Sequence, residues 1–346
     1  VREPLGVAGL ITPWNYPIAI PAWKIAPALA TGNTVVLKPA SNAPGAAAAI
    51  VRALEDAGIP DGVINFVPGS GSDVGEVLTT HETVDLVSFT GSSNVGHHVY
   101  EQATEDTKRA QAEMGGKNPA LVTANADLER AVEAVGAGAF GVTGQACTAC
   151  SRAIVHTDLY DEFVERIVEY TESIDVGPGL DDPDMGPHVT QSELDSTLDY
   201  VDVGVSEGST LETGGERLEG DDLSDGYFIS PAVFTEVDPE TRLFQEEIFG
   251  PVLAVTEVED FDEGVEVAND SQYGLSASII TNDLEEAHAF VDQSECGVIK
   301  INEKTTGLDL HVPFGGVKDS STNTHREQGD AGMDFFTQTK TVYLNT

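Results

Sequence analysis

Apolar runs of strand length alternate with helical patterns along the first part of the chain, and this alternation restricts the possible folds more than any other feature. Strands are predicted from the runs at residues 7–11, 35–38, 63–67 and 86–90. Helices are predicted between them, at 22–30, 44–57 and 71–78. Strands that alternate with helices form βαβ units, with a parallel sheet and with ligands at the carboxyl ends of its strands. We therefore expect an α/β fold.

A second series of strands and helices begins near Lys117. Strands are predicted at 120–122, 153–156, 251–255, 278–281 and 298–301, and helices at 128–140 and 159–172. A chain of 346 residues exceeds one ordinary hydrophobic core, so we expect two lobes or one large α/β unit. The tail at 334–344 ends in an alternation suited to an edge strand that joins a partner chain.

The chain is extremely acidic. It has 59 Asp and Glu against 17 Lys and Arg, a formal net charge of −42. A carboxylate-rich, lysine-poor surface stays hydrated when concentrated salt screens its self-repulsion, so we interpret the composition as halophilic. The sequence has no basic patch to meet phosphates, which argues against nucleic acids and anionic membranes as partners.

Signals for membrane insertion or secretion are missing from the sequence. No run approaches the ~20 apolar residues that span a bilayer, and no signal peptide precedes the first strand. Three cysteines provide no disulfide framework, so a cytoplasmic protein is expected. The chain enters a strand-like run soon after Val1, which indicates a start within a domain.

Cys147 is the candidate nucleophile. It lies in a stretch of small residues at 137–152, where backbone comes close to a ligand and where a turn beside a helix favours the thiolate. An inert buried cysteine is the alternative for any single thiol. Cys147 and Cys150 also form a C-x-x-C pair, but Cys296 and the scattered histidines supply no second pair, so no metal site is expected.

Four further segments, far apart in the sequence, carry groups that suit a reaction at a thiol. Asn15 follows one predicted strand and Lys38 ends another. Residues 89–96 run from a strand through a glycine turn into a helix, which directs backbone N–H groups and the positive helix end at phosphate. Glu113 precedes a glycine bend. Each segment alone is ordinary, and the glycine turn is not the G-x-G-x-x-G fingerprint of dinucleotide binding.

Together and in this order, the segments resemble the aldehyde dehydrogenase superfamily. The resemblance continues through the motifs at 246–252, 273–276 and 313–316 and covers essentially the whole chain. The α-ketoglutarate semialdehyde (2,5-dioxopentanoate) dehydrogenases are more narrowly similar, at 298–306, 318–329 and 335–340. The resemblance implies NAD(P)-dependent oxidation of this aldehyde to its carboxylic acid.

The resemblance also implies a domain organisation. Residues 1–116 would form a Rossmann-like cofactor-binding domain that lacks its N-terminal part, and residues 117–318 an α/β catalytic domain with parallel strands. Residues 319–346 would form a C-terminal segment with an oligomerisation strand, and a homo-oligomer, either dimer or tetramer, is expected. Relative to the family, we expect the chain to be truncated at its N-terminus.

The catalytic roles implied by the resemblance fall on three residues. Cys147 would attack the aldehyde carbon and form a thiohemiacetal. The Asn15 amide and the backbone N–H of Cys147 would hold the oxyanion, and one such donor contributes ~3 kcal/mol to transition-state stabilisation. After hydride transfer leaves a thioester, Glu113 would activate the water that releases the acid.

A set of cofactor contacts is implied in the same way. Glu247 would hold the nicotinamide ribose, Phe249 would pack beside the ring, and Lys38 would meet the adenosine ribose. The complete set is Trp14, Lys38, Ser41, Gly91, Ser92, Gly96, Glu247 and Phe249. In the family a carboxylate at the position of Ser41 repels a 2′-phosphate, so the serine predicts that NADP is accepted as well as NAD.

Other functions remain open at this point. An acyl-CoA-forming relative is one alternative, although such enzymes generally lack a carboxylate at the Glu113 position. Succinate semialdehyde and other aldehydes are alternative substrates, with Lys304 and His311 as candidate binders of a far carboxylate. A truncated, inactive chain that acts as an oligomerisation partner is the alternative outside enzymes. Oxidation could also pair Cys150 with Cys147 and inactivate the enzyme reversibly.

Overall fold

Helices and strands alternate over most of the chain in a computed structural model that describes residues 1–220 and 223–346. The strands are β1 (Arg2–Pro4), β2 (Val7–Ile11), β3 (Thr34–Lys38), β4 (Ile64–Phe66), β5 (Leu86–Thr90), β6 (Arg109–Glu113), β7 (Asn118–Val122), β8 (Cys150–His156), β9 (Thr210–Thr213), β10 (Ala232–Thr235), β11 (Val252–Val258), β12 (Tyr273–Gly274), β13 (Ser276–Ile280), β14 (Val298–Ile301), β15 (Val317–Lys318) and β16 (Thr337–Thr339). The helices are α1 (Ala19–Ala30), α2 (Pro44–Asp56), α3 (Glu76–Thr80), α4 (Ser93–Glu105), α5 (Leu128–Phe140), α6 (Thr157–Glu172), α7 (Gln191–Ser206), α8 (Arg242–Gln245), α9 (Phe261–Asn269), α10 (Leu284–Gln293) and α11 (Gly329–Phe335). These elements confirm the α/β fold with parallel strands.

The first compact unit contains residues 1–114 and 308–346. Its five-stranded sheet has the order β4-β3-β2-β5-β6, and every neighbouring pair is parallel. From β2 the chain proceeds outward through β3 to β4, and it then returns to place β5 on the other side of β2. This reversal is a topological switch point, and ligands of open α/β sheets bind at the carboxyl ends of the strands beside it.

The core of this unit explains why the last residues of the chain belong to it. Leu10, Leu37 and Leu86 from neighbouring strands are fully buried, and Phe335 from α11 packs in the same apolar cluster. The C-terminal strand also pairs antiparallel with β1, in the register Arg2 to Thr339. Burial of these apolar side chains is the main favourable contribution to the stability of the unit.

The second compact unit contains residues 115–307. Its seven-stranded sheet has the order β14-β13-β7-β8-β11-β10-β9, and only the edge strand β9 runs antiparallel to its neighbour. Helices α5 and α6 contribute to one apolar cluster, whereas α9 and α10 contribute to another. The assignment of cofactor binding and catalysis to separate domains stays a prediction.

Arg152 on β8 has a structural role in the second unit. Its side chain is 1% exposed, and the guanidinium donates to the carbonyl oxygens of Lys117, Val267, Ala268 and Asp270. Three of these carbonyls lie at or just beyond the C-terminus of α9, where a cation interacts favourably with the helix dipole.

The tail differs from its sequence pattern. The alternation lies at 341–344, but the strand in this region is β16, which ends at Thr339. It forms there because β1 provides its hydrogen-bonding neighbour. Residues 340–346 lie in no strand, and Val342, Tyr343 and Leu344 are exposed.

Within the described ranges 1–220 and 223–346, no helix is both long and apolar enough to cross a membrane.

Candidate active site

The carboxyl ends of the first unit's strands carry most of the predicted site residues. Asn15 follows β2, Lys38 ends β3, Gly91 follows β5 and Glu113 ends β6. These four strands are parallel neighbours in one sheet, so the four residues lie along the same sheet edge. Asn15 and Gly91 follow the two strands that flank the switch point, where open α/β sheets bind ligands.

Glu113 is a buried carboxyl group with two hydrogen-bond donors. Its side chain is 1% exposed. One carboxyl oxygen accepts the backbone N–H of Gly316 at 2.9 Å, and the other accepts the hydroxyl of Ser321 at 2.8 Å. Gly315 approaches so closely that a Cβ there would lie 2.7 Å from a Glu113 carboxyl oxygen. The C-terminal segment of the chain therefore positions this carboxyl group.

The pKa of Glu113 is raised to about 8. Loss of hydration on burial is the largest cause, and the negative charge of Glu327 adds to it. The Gly316 and Ser321 hydrogen bonds and the charge of Lys24 act in the opposite direction. Burial prevails over these contacts, so Glu113 is mostly protonated at neutral pH and becomes a carboxylate, and hence a base, as the pH passes 8.

Lys24 and Glu327 form a buried ion pair near Glu113. Their side chains are 2% and 4% exposed, and the Lys24 amine also donates to the Ser88 hydroxyl at 2.7 Å. Glu327 is fixed further by two backbone hydrogen bonds of 2.7 Å with Phe314. A buried pair of this kind is costly to break, because either charge left alone has lost its hydration.

The predicted adenosine end has a buried cation and an exposed hydroxyl. Lys38 is 6% exposed, its amine donates to the carbonyl oxygen of Pro39 at 3.1 Å, and burial lowers its pKa. Ser41 is exposed and donates to the carbonyl oxygen of Gly69 at 3.2 Å. No acidic side chain occupies position 41, so a 2′-phosphate at this place would meet no carboxylate from that residue.

The turn from β5 into α4 is the predicted pyrophosphate site. A Cβ at Gly91 would lie 2.6 Å from the Phe89 ring, so the turn needs a glycine. Ser92 is the N-cap of α4 and its side chain makes no capping hydrogen bond, which leaves first-turn N–H groups for an anion. Gly96 packs closely, since its Cβ would lie 2.4 Å from the Met114 sulfur. Trp14 is half-buried in the loop after β2.

In the second unit, a strained turn precedes Cys147. Val142, Thr143 and Gly144 have successive positive φ values of 56°, 59° and 66°. This backbone conformation is unusual for β-branched residues, and such strain concentrates at functional sites. The turn is held by a 3.0 Å bond from the Thr143 hydroxyl to the Gly186 carbonyl oxygen. A Cβ at position 144 would lie 2.2 Å from the Gly250 carbonyl oxygen, so only glycine fits there.

Cys147 is partly exposed between buried neighbours. Ala146 and Thr148 are each 4% exposed, so the loop backbone is enclosed while the side chain of Cys147 retains access to solvent. The side-chain amide of Asn118 donates to the carbonyl oxygens of Cys147 and Ala149, each at 2.8 Å. A partly exposed thiol on a fixed backbone is the arrangement that a nucleophile requires.

Cys150 has the opposite environment. It is 2% exposed, and burial raises its pKa to about 12, so its sulfur stays a protonated thiol. A thiol attacks a disulfide or an electrophile only as the thiolate, so Cys150 is a poor partner for exchange with Cys147. The proposed pairing of the two cysteines stays a hypothesis with this electrostatic cost against it.

Glu247 contacts the glycine bend that follows β6 along the chain. Its carboxylate accepts the Gly116 N–H at 3.0 Å, and a Cβ at Gly115 would lie 2.1 Å from it. Loss of hydration raises its pKa to about 7, although the Gly116 N–H and the charge of Lys117 oppose the rise.

Phe249 has a positive φ of 59°, a second strained position beside the Cys147 turn. A Cβ at Gly116 would lie 2.7 Å from the Cys147 carbonyl oxygen, so the same bend contacts both segments.

The structure thus places the predicted residues in two groups. The first unit holds Asn15, Glu113, Trp14, Lys38, Ser41, Gly91, Ser92 and Gly96, and the second holds Cys147, Glu247 and Phe249. Sequence reasoning missed Lys24, Glu327 and Asn118. Asn118 directly follows the Glu113 motif, and a polar residue at the start of a buried strand is the available signal. Within the described residues, no group of three or more His, Cys, Asp or Glu is arranged to hold a metal ion.

Comparisons with known proteins show what the chain is similar to. A family model described as "Aldehyde dehydrogenase family" matches residues 1–342. An α-ketoglutarate semialdehyde dehydrogenase of Haloferax volcanii is 63% identical over 342 residues, which are 99% of this chain and 71% of that protein. A 2,5-dioxopentanoate dehydrogenase of Saccharolobus solfataricus is 46% identical, over 99% of this chain and 71% of that protein.

Solved structures show the same fold. The crystal structure of betaine aldehyde dehydrogenase from Staphylococcus aureus, in complex with NAD⁺, superposes with a TM-score of 0.95 at 38% identity. The match covers 98% of this chain and 66% of that chain. The sequence therefore spans about 70% of the length of the curated relatives and slightly less than two thirds of the solved enzyme.

Proposed function

The chain belongs to the aldehyde dehydrogenase family, and we propose that it oxidises an aldehyde to the carboxylic acid with NAD or NADP as hydride acceptor. The observation that supports the proposal most is the Cys147 thiol, partly exposed on a buried and strained loop. The closely similar relatives are dehydrogenases of α-ketoglutarate semialdehyde, also called 2,5-dioxopentanoate, so this is the proposed substrate.

Cys147 forms the covalent bond to substrate in this proposal. Its thiolate adds to the aldehyde carbon, a C–S bond forms, and the carbonyl oxygen becomes an oxyanion. The Asn15 side-chain amide and the Cys147 N–H donate to that oxyanion, and loss of one such donor typically costs ~3 kcal/mol. The Asn118 contact to the Cys147 carbonyl fixes the backbone that carries both the sulfur and one donor.

The cofactor residues are assigned by the same proposal. Lys38, Ser41, Gly91, Ser92, Gly96 and Trp14 would hold the adenosine and pyrophosphate portions, and Glu247 and Phe249 the nicotinamide portion. When bound, the nicotinamide ring supplies the acceptor for the hydride that leaves the thiohemiacetal carbon. The close approach at Gly91 and the uncapped start of α4 fit the pyrophosphate. Ser41 in place of a carboxylate supports use of NADP.

Glu113 is the proposed general base of the hydrolytic step. Its carboxylate takes a proton from water, whose oxygen adds to the thioester carbon, and the Cys147 sulfur leaves as the acid forms. In the structure the Gly316 and Ser321 hydrogen bonds hold Glu113, and its pKa of about 8 keeps a proton on it at neutral pH. Hydrolysis of the thioester should therefore accelerate as the pH rises toward 8.

A homo-oligomer is part of the proposal. Val342, Tyr343 and Leu344 are 63%, 94% and 83% exposed, so the last residues offer apolar side chains and unpaired backbone to another copy. The tail strand β16 already pairs with β1, which holds the start of this exposed segment in place. Light scattering at high salt measures the number of subunits.

A substrate panel tests the proposed function. The protein is assayed in molar KCl with 2,5-dioxopentanoate, succinate semialdehyde and propanal, each with NAD and with NADP. We expect the highest kcat/KM with 2,5-dioxopentanoate, 2-oxoglutarate as product, and no requirement for coenzyme A. A strict dependence on coenzyme A would favour acyl-CoA formation instead, and absence of turnover with every aldehyde would favour a binding role.

A further inference from the structure

A cavity of about 400 Å³ in the second unit has polar groups that the reaction steps above do not use. One side is the C-terminal end of α5 with the turn after it, including Gly136 and Phe140. Ile174 and four polar side chains line the rest of the cavity, and the polar ones are Tyr170, Ser173, Asp184 and Lys304. A concave site with a few convergent polar groups is suited to a small ligand.

Tyr170 lies against α5 in a way that needs a glycine. A Cβ at Gly136 would lie 2.3 Å from the Tyr170 ring, so the ring packs directly on the helix backbone. Burial raises the pKa of Tyr170, and the charges of Asp184 and Glu133 raise it further. The phenol therefore keeps its proton at all physiological pH values and is available as a hydrogen-bond donor.

Lys304 is an exposed cation without a carboxylate partner in the part of the chain that the structure describes. The contrast is with Lys300 of β14, whose amine donates to the Gly307 carbonyl oxygen at 2.8 Å and lies 3.6 Å from Glu303. In a chain with 59 acidic residues and 17 basic ones, an unpaired lysine in a cavity is an unusual arrangement. It is suited to an anionic ligand.

The segment that carries Lys304 is bonded directly to the Cys147 loop. The Thr305 hydroxyl donates to the Thr148 carbonyl oxygen at 2.7 Å. Lys304 and Cys147 are each one residue from that bond, and one residue step along a chain is about 3.8 Å. The Lys304 Cβ also lies 3.5 Å from the position of a Cβ on Gly138. Lys304 and Cys147 therefore lie on two directly hydrogen-bonded segments of the same unit.

Asp184 is the opposing charge in the cavity. One of its carboxylate oxygens accepts the Asp175 N–H at 3.0 Å, and it forms no ion pair with Lys304 within the described residues. Because like charges repel, Asp184 weakens binding of any anion in this cavity. Substitutions of Lys304 and Asp184 should therefore change the affinity for an anion in opposite directions.

We infer that this cavity, which we call the Lys304 cavity, binds the far carboxylate of an aldehyde substrate that carries an acid group at its other end. The inference rests on the proposed function, since it places the aldehyde carbon at Cys147. Lys304 supplies the cation, Tyr170 donates its phenolic hydrogen, and Asp184 limits affinity so that the acidic product can leave. Recognition at this site makes and breaks no covalent bond.

The test compares a carboxylated aldehyde with a neutral one. KM values for 2,5-dioxopentanoate and for propanal are measured for the wild type, Lys304→Gln, Asp184→Asn and the control Lys300→Gln. For 2,5-dioxopentanoate, Lys304→Gln should raise KM about tenfold or more and Asp184→Asn should lower it. Both variants should leave the KM for propanal within about twofold of wild type, and Lys300→Gln should change neither value. Lys304→Arg should restore most of the affinity, because it retains the charge.

Binding of the product separates this inference from the proposed function. Calorimetric affinity for 2-oxoglutarate, measured without turnover, should fall in Lys304→Gln and rise in Asp184→Asn. If no aldehyde is oxidised but this pattern appears, the proposed function fails and the carboxylate site stands. Equal changes for both aldehydes, no change in either, or 2-oxoglutarate inhibition that is not competitive with 2,5-dioxopentanoate would each overturn the assignment of the cavity to the substrate's own carboxylate.

Discussion

The side-chain amide of Asn118 donates to the carbonyl oxygen of Cys147 at 2.8 Å, and to that of Ala149 at the same distance. Its own carbonyl oxygen accepts the Ser276 N–H at 3.0 Å, so all its bonds are to backbone groups. One buried side chain of β7 thus connects the Cys147 loop to β13. This is a positioning contact, since Asn118 holds the backbone of the proposed nucleophile.

Removal of that contact should slow the reaction. Asn118→Ala leaves two buried carbonyl oxygens and one buried N–H without their partner, which typically costs about 1–3 kcal/mol per unsatisfied group. We expect lower thermal stability and a kcat at least about tenfold lower, with a smaller change in cofactor KM. The exposed Asn125, whose amide donates to Glu286, provides the control Asn125→Ala, which should behave as wild type. Unchanged kcat in Asn118→Ala would contradict the positioning role.

The raised pKa of Glu113 should appear in stability measurements. Its folded pKa of about 8 exceeds the reference value of 4.5, so the folded state binds the proton more tightly than the unfolded state. The contribution from this group is fully present below pH 4.5 and is lost as the pH rises through 8. Glu113→Gln should therefore gain stability relative to wild type across this window, as followed by chemical denaturation at constant salt. The exposed Glu101→Gln should show no such trend.

The charges of Glu327 and Lys24, which act on Glu113, should set the pH dependence of turnover. Glu327→Gln removes the negative charge that helps to raise the Glu113 pKa, so the alkaline rise in kcat should move to lower pH. Lys24→Met removes a positive charge and should move the alkaline rise in kcat to higher pH. Each variant also breaks a buried ion pair, with an expected loss of about 3–5 kcal/mol of stability, so the profiles require concentrated salt and low temperature. Shifts of the same sign in both variants would argue against this electrostatic control.

Cofactor choice should respond to one substitution. Ser41→Asp introduces a carboxylate where a 2′-phosphate is expected, and like-charge repulsion should lower kcat/KM for NADP about tenfold or more. The value for NAD should change little. Thr80→Asp adds the same charge at the end of α3 and should leave the NADP to NAD ratio as in wild type. If the ratio in Ser41→Asp also stays constant, the adenosine ribose is bound elsewhere.

Local patterns predicted much of the fold. The helix at 128–140 and the strands at 7–11, 86–90 and 298–301 have the predicted limits, because apolar periodicity and buried parallel strands leave a direct signal in the sequence. The tail shows where local patterns fail. Its strand formed at β16, where β1 supplies hydrogen-bonding partners, and pairing with a distant segment is invisible to a local pattern.

The candidate site was predictable where residues sit in motifs and unpredictable where long-range contacts define their chemistry. The glycine bend predicts Glu113 as a site residue, but the pKa of its carboxyl group depends first on burial and then on Glu327, Gly316 and Ser321, which lie more than two hundred positions away in the chain. The Lys24 and Glu327 pair spans 303 positions. Neither residue differs locally from a surface charge, and only the fold shows that both are buried.

The most direct test of the proposed function is to trap and detect the acyl group that Cys147 is expected to carry. Glu113→Gln, which lacks the proposed base, is mixed with 2,5-dioxopentanoate and NADP, quenched in acid and digested for mass spectrometry. We predict one equivalent of reduced cofactor in a burst, and an acyl group on the peptide that contains Cys147, absent in Cys147→Ser. An acyl group on Cys296, or a full burst in Cys147→Ser, would contradict the assignment of the nucleophile.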